Sequence, residues 1–385
     1  MKITMYSNYL NHHQLPLCEA FNRLTDNQFT FVATSQIGKE RLALGYHDMN
    51  DKPFVISTSE GEEQQELAQQ LDLESDIVIV GDAPEEYVRN RIRQGKQTFR
   101  HHERIYKKGR IYALHPGSIH MALTRHNTYR QDPLYLLCAG AYVAKDFALL
   151  GSYIGKTYKW GYFPELIEQN KQHMCSVKEN KITKLLWVGR FIPYKHPDIP
   201  VEIARRLKQD GYEFELNMIG TGELISEIGS MIHKYHLEGN VHLLGPMHPE
   251  EVRTYMEQAN IFLFTSNQEE GWGAVLNEAM NSCCAVVASD AIGAVPYLLN
   301  DRVNGLIYKD GNLNDCYEKI KILFDDLEYA SEVGWESYLT LKNEWNAEIA
   351  AERLIVLSEY LKLNKETPFS TGPLSKDVVQ HRFYF

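Results

Sequence analysis

Short apolar runs rich in β-branched residues recur along the chain, separated by amphipathic or polar stretches of helical length. In the first half, residues 2–7, 29–34, 76–80 and 97–102 read as strands, with helices predicted over 15–24, 84–94, 113–125 and 134–150. In the second half, strands are expected at 184–188, 214–219, 241–244, 261–264 and 285–288. Helices are expected there at 249–258, 313–324 and 345–363, with another opening near residue 273. Runs such as DIVIV at 76–80 and IFLF at 261–264 do not alternate with polar positions. Both faces of such strands are therefore expected to be covered, as in a parallel sheet packed by helices. Strand followed by helix, repeated in both halves, predicts an α/β chain of two doubly wound Rossmann-like domains facing across a cleft.

At 385 residues the chain is too long for one ordinary core. Residues 1–165 are expected to form one domain, the polar stretch 166–183 a linker and 184–344 a second domain. A helix over 345–364 is expected to cross back to the first domain, followed by an irregular tail, 365–385, docking through its terminal Arg-Phe-Tyr-Phe. The net charge of −11 argues against a nucleic-acid binder, whose footprint is basic. Lys107-Lys108-Gly109-Arg110 is a local exception, which a solvated face would also explain. Six cysteines show neither C-x-x-C spacing nor a histidine pattern suited to zinc, so they read as reduced thiols. No signal-peptide apolar core is present, and no window approaches the roughly 20 apolar residues that span a bilayer. A cytoplasmic protein is expected, at most peripherally attached to a membrane.

The stretch 261–290 organises the chemistry. A strand ends in a polar loop, Gly271-Trp272-Gly273 turns the chain and a helix follows, so unpaired N–H groups point at a ligand. Glu270 and Glu278 frame the turn with seven residues between them. With the helix starting near Gly273, Glu278 lies roughly 7 to 8 Å along its axis at about 1.5 Å per residue. Ala274, one turn before, is small. Paired carboxylates here suit the vicinal hydroxyls of a sugar or ribose; without the Gly-Trp-Gly turn between them, a solvated helix glutamate and a loop glutamate would be the better reading. Gly220-Thr221-Gly222, at a strand's carboxyl end, suits a nucleotide-facing turn. His12, His13 and Gln14 follow the first strand, at the edge where α/β sheets bind ligands.

The two glutamates and the glycines between them resemble the E-x7-E signature of the family 4 glycosyltransferases, retaining enzymes of GT-B fold. The resemblance implies Glu270 at the transferred sugar and Glu278 on the donor ribose. It also implies that the backbone of Gly271, Trp272, Gly273, Ala274 and Val275 meets sugar and diphosphate. Gly189-Arg190, with Lys195 five positions on, is similar to the second hallmark, two cations for the donor diphosphate. Fixed cations are what a leaving nucleoside diphosphate needs where no metal serves. The family places the base against a loop that here holds Leu244 and Met247. Cys283 and Ala285 stand where the family carries a small-residue turn and a proline.

Over residues 1–165 the likeness is architectural: His12, His13 and Gln14 fall on the acceptor side, and His102 or Glu103 beside the reacting sugar, with His101 equally eligible. The family implies transfer from a nucleotide diphosphate sugar to a glycan or lipid-linked acceptor in polysaccharide or lipopolysaccharide synthesis. No cofactor is expected and, with no Asp-x-Asp pair, no metal. A nucleotide-sugar 2-epimerase of the same fold, or a non-catalytic nucleotide-sugar-binding protein, are the rivals.

Overall fold

A computed structural model describes residues 1–38, 48–179 and 182–378. The terminal Arg-Phe-Tyr-Phe lies outside the described residues. The chain falls into two compact units, Met1–Glu165 with Glu344–Phe385, and Leu166–Asn343.

The first unit is built on seven parallel strands: β1 Ile3–Ser7, β2 Phe29–Ala33, β3 Val55–Ser57, β4 Ile77–Val80, β5 Thr98–His102, β6 Leu134–Ala139 and β7 Thr157–Trp160. Their order is β3-β2-β1-β4-β5-β6-β7, so the winding reverses beside β1. Every residue of β1 and β4 is buried, as the unbroken apolar runs require.

Two expected helices are corrected here. Residues 134–139 are a strand deep in the sheet, and only Val143–Ala148 of the stretch is helical. An apolar run of six buried on both faces looks alike in a strand and in a core helix, so periodicity alone does not separate them. The expected helix over 113–125 is instead three short turns, Arg110–Leu114, Pro116–Met121 and Ala122–His126. Pro116 has no N–H to continue the first of them. Strand β3 and the helix Glu62–Glu74 carried too weak a pattern to be foreseen; the helix buries only Ala68, Leu71 and Asp72.

The helix Ala347–Lys362 belongs to this unit and packs on the helix Leu15–Leu24. Ser358 Oγ donates to Gln97 Oε1 at 2.7 Å, fixing it to the start of β5. The tail beyond is more regular than expected. Leu374 N donates to Lys159 O at 2.8 Å, Lys159 N to Ser375 O at 2.9 Å and Asp377 N to Thr157 O at 3.1 Å, an antiparallel attachment along β7.

The second unit holds six parallel strands in the order β10-β9-β8-β11-β12-β13. They are β8 Thr183–Val188, β9 Phe214–Ile219, β10 Val241–Gly245, β11 Ile261–Phe264, β12 Ala285–Ser289 and β13 Leu306–Tyr308. Winding reverses between β8 and β11, which puts the loops after these two strands at the switch point. The described part of 166–183 does not behave as a linker. It carries the helix Lys171–Lys178, whose buried Met174 packs with Cys283 and Tyr338, while Asn260 Nδ2 donates to Lys178 O at 2.9 Å. One buried residue on an otherwise polar helix left little trace in the sequence. The helix Leu327–Asn343 was also missed, because Gly334 interrupts its pattern; a Cβ there would lie 2.3 Å from Cys283 O. Among the described residues no helix is long and apolar enough to cross a membrane.

Candidate active site

In the second unit the turns after β8 and β9 meet backbone to backbone. Gly220 has φ +135°, and a Cβ on it would fall 2.0 Å from Gly189 O. Gly222 is as tightly placed, 2.4 Å from Phe191 O. Phe191 N donates to Thr221 O at 2.9 Å and Gly189 N to Ile219 O at 3.0 Å. The Gly-x-Gly thus packs two loops together, which explains it without a ligand. Leu244 lies in β10, and the next residue, Gly245, accepts a bond from Gly220 N at 2.9 Å; Met247 is half-buried in the loop beyond.

The turn after β8 is stitched to the loop after β11. Thr265 Oγ1 donates to Lys195 O at 2.7 Å and receives Trp187 Nε1 at 2.9 Å, while Asn267 N donates to Tyr194 O at 2.9 Å. This brings Lys195 Nζ into an ion pair with Glu270 Oε2, with side chains only 13% and 12% exposed. Ser266 Oγ donates to the same carboxylate oxygen at 3.0 Å. Arg190 is exposed, its Nη2 donating to Tyr194 OH at 2.8 Å, and Lys195 Nζ lies 5.5 Å from that ring's centre. The two cations expected from the sequence therefore flank one tyrosine.

Between the glutamates, Trp272 turns its indole into the core, where Nε1 donates to Asn277 Oδ1 at 2.9 Å, so only its backbone is available to a ligand. Gly271 is buried beside it, and Gly273 takes φ +91°, where a Cβ would strike the Phe264 ring at 2.4 Å. The helix begins at Val275, after Ala274, rather than at Gly273; Glu278 therefore stands in its first turn. Burial raises the Glu278 carboxyl to about 7, against the opposing pull of Arg253.

A carboxyl raised above its unfolded value stabilises the fold fully at acid pH, and that contribution fades as pH climbs through the folded value. Glu278→Gln is accordingly expected to gain stability over the native protein between pH 5 and pH 8, on the order of 2–3 kcal/mol. Thermal unfolding at the two pH values checks this; an equal offset at both would show that the carboxyl is not held protonated by its surroundings.

In the first unit, Asn11 Oδ1 accepts from His13 N at 3.0 Å, and Asn11 Nδ2 donates to Gln14 Oε1 at 3.0 Å. Gln14 is buried at the start of the helix Leu15–Leu24, where its side-chain oxygen is held by Asn11. The rings of His12 and His13 lie 3.7 Å apart. At the end of β5, His101 points inward and burial lowers it to about 4. His102 Nδ1 lies 2.6 Å from Glu103 O, and burial keeps its ring below the ordinary histidine range. Burial pulls Glu103 upward but is outweighed by Lys107 Nζ at 2.7 Å and Tyr162 OH at 2.9 Å, which hold it below the usual carboxylate value.

Tyr162 also sits edge-on to His101 at 5.8 Å and 6.5 Å from His13. It gathers the loops after β1, β5 and β7, a role that its neighbours in sequence do not suggest. Beneath them runs a buried chain: Arg100 Nη2 donates to Glu85 at 2.7 Å, Arg100 Nη1 lies 3.1 Å from His126 Nδ1, and Tyr153 OH lies 2.9 Å from that nitrogen. Burial first, and Arg100 second, push His126 down to about 3.

With this geometry in place, likeness to known proteins is informative. A family described as "Glycosyl transferases group 1" matches residues 168–338. The amylovoran biosynthesis glycosyltransferase AmsK of Erwinia amylovora is 34% identical over 134 residues, 34% of this chain and 33% of that protein. A poly(ribitol-phosphate) alpha-N-acetylglucosaminyltransferase of Staphylococcus aureus (strain COL) is 28% identical over 170 residues, 44% of this chain and 34% of its own. The match thus spans about a third of the length of these curated relatives. Among solved structures, the lipopolysaccharide outer core galactosyltransferase WaaB in its apo form superposes with a TM-score of 0.67, and HepE of Anabaena with UDP and glucose with one of 0.66. Each covers 94% of this chain and 100% of its own, at 17% and 15% identity, a likeness of fold. The two parallel-sheet units have the GT-B fold of these neighbours, and residues 168–338 of the second unit are similar to the glycosyl transferases group 1.

Proposed function

We propose that the protein transfers a sugar from a nucleotide diphosphate donor to a hydroxyl of a glycan or lipid-linked acceptor, with retention, in polysaccharide or lipopolysaccharide assembly at a membrane surface. The observation that carries this reading is the Lys195–Glu270 ion pair with Arg190 beside it, at the switch point of the second sheet. The names of the relatives, which include polysaccharide-building and N-acetylglucosaminyl-transferring enzymes, support it. A nearly buried lysine already neutralised by a carboxylate is poised to exchange part of that contact for an incoming diphosphate. Arg190, more exposed, meets the same anion from the solvent side.

In the reaction the bond between the anomeric carbon and the β-phosphate oxygen breaks while the acceptor oxygen bonds to that carbon on the same face. The acceptor proton passes to the departing phosphate oxygen. Charge grows on the diphosphate, and Lys195, Arg190 and the backbone of Gly271 to Ala274 meet it. Glu270, oriented by Ser266 and Lys195, accepts hydrogen bonds from the transferred sugar. Glu278 holds the ribose, and Gly189, Gly220, Gly222, Leu244 and Met247 shape the nucleotide's surroundings. In the first unit His12, His13, His102 and Glu103 receive the acceptor.

The test is incubation with a panel of uridine and guanosine diphosphate sugars, with and without excess chelator. Nucleoside diphosphate release that needs an acceptor and persists in chelator is expected. Loss of turnover in chelator that magnesium restores would overturn the two-cation account. Interconversion of nucleotide sugars without release would make the protein an epimerase, and binding alone a non-catalytic one.

A further inference from the structure

We propose that the segment from Lys107 to Arg125 in the first unit is a docking surface for a bilayer rich in anionic headgroups. It carries Ile111 and Leu114, 76% and 73% exposed, with Tyr112, Ile119 and Leu123 exposed as well. Large apolar side chains gathered so closely on a surface mark a site of interaction. They are held outward by what turns inward: Tyr106, Ala113, Ala122 and His126 are all buried, and Tyr106 N donates to Asp146 Oδ2 at 3.2 Å. Pro116 and Gly109, the latter at φ +121°, break the segment into short turns.

The charge identifies the occupant. Between Arg104 and Asp132 the sequence contains no carboxylate, in a chain whose net charge is −11. Lys108, Arg110 and Arg125 in that window are exposed among the apolar residues. Cations beside exposed Ile, Leu and Tyr match an interface of acyl chains under anionic headgroups. A second copy docking by the same face would set these cations against their own equivalents, which disfavours it. The segment follows β5, whose end carries His102 and Glu103. Docking would therefore hold the residues assigned to the acceptor near a lipid-linked one. That clause rests on the proposed function; the docking itself does not.

Sedimentation of the full chain with phosphatidylcholine vesicles, with and without phosphatidylglycerol, tests it in the absence of nucleotide. The protein is expected to sediment only with the anionic vesicles, and less at high ionic strength. The triple variant Lys108→Gln, Arg110→Gln, Arg125→Gln is expected to partition about 10²-fold less. The triple variant Ile111→Ser, Leu114→Ser, Leu123→Ser should lose binding while unfolding at the native Tm. A native protein left in the supernatant, or variants that sediment as well as it does, would overturn the proposal. So would a native dimer that the apolar variant converts to monomer. Sugar transfer to a water-soluble acceptor reads the proposed function separately, since it needs no vesicle.

Discussion

Lys195→Ala is expected to lower turnover by about 10²- to 10³-fold, the cost of removing one fixed charge from a group that becomes more anionic as the bond breaks. The loss should appear in kcat, because the diphosphate is already charged in the ground state and only the increment is lost there. The structure adds a second consequence. Lys195 is the cation paired with Glu270, whose side chain is 12% exposed, so its removal leaves a carboxylate supported by Ser266. A stability loss of about 1–3 kcal/mol should accompany the kinetic one. The double variant Lys195→Ala, Glu270→Gln separates the effects: Tm is expected to recover, and turnover to stay low. Steady-state assays and thermal unfolding of the three variants decide it. If Lys195→Ala raises the donor KM while kcat stays near native, the lysine binds donor uniformly and has no special part in bond cleavage.

Gly220→Ala is expected to be the most damaging of the conservative changes. The methyl group would sit 2.0 Å from Gly189 O, and φ +135° is a conformation that L side chains rarely adopt. Neither strand end can yield, since Gly189 N and Gly220 N are both bonded within the sheet's edge. A destabilisation of about 3 kcal/mol or more follows from strain and overlap together. Nucleotide affinity should fall with it, because the displaced loop carries Arg190. Gly239→Ala is the control, since a Cβ there meets nothing within 4 Å. Equal Tm values for the two variants would show that the loops are free to separate.

The legible parts of this molecule were local. An unbroken apolar strand, a glycine turn and two acids seven residues apart each sit within one stretch of chain, so the α/β class and the second unit's loops could be read directly. What escaped depends on partners far away in sequence. Residues 134–139 read as helix because only the neighbouring strands β5 and β7 make them a strand. Tyr162 carries no signal in its own stretch of sequence, because its partner Glu103 lies 59 positions earlier. Gly220 looked like a ligand turn, and its demand comes from Gly189. The short helix Lys171–Lys178 offers one buried side chain in eight, too little for any periodic signal.

The attachment of Leu374–Asp377 along β7 bears on the protein's behaviour in concentrated solution. β7 is the last strand of its sheet, and its outer N–H and C=O groups would otherwise form an open row. Such rows invite pairing with the edges of other molecules. The tail occupies Thr157 and Lys159 with its own backbone and covers Tyr158 with Lys376, whose Nζ lies 4.7 Å from the ring centre. By filling that row the segment keeps the sheet from growing into its neighbours, and a chain shortened before Leu374 is expected to scatter more light in concentrated solution than the native one.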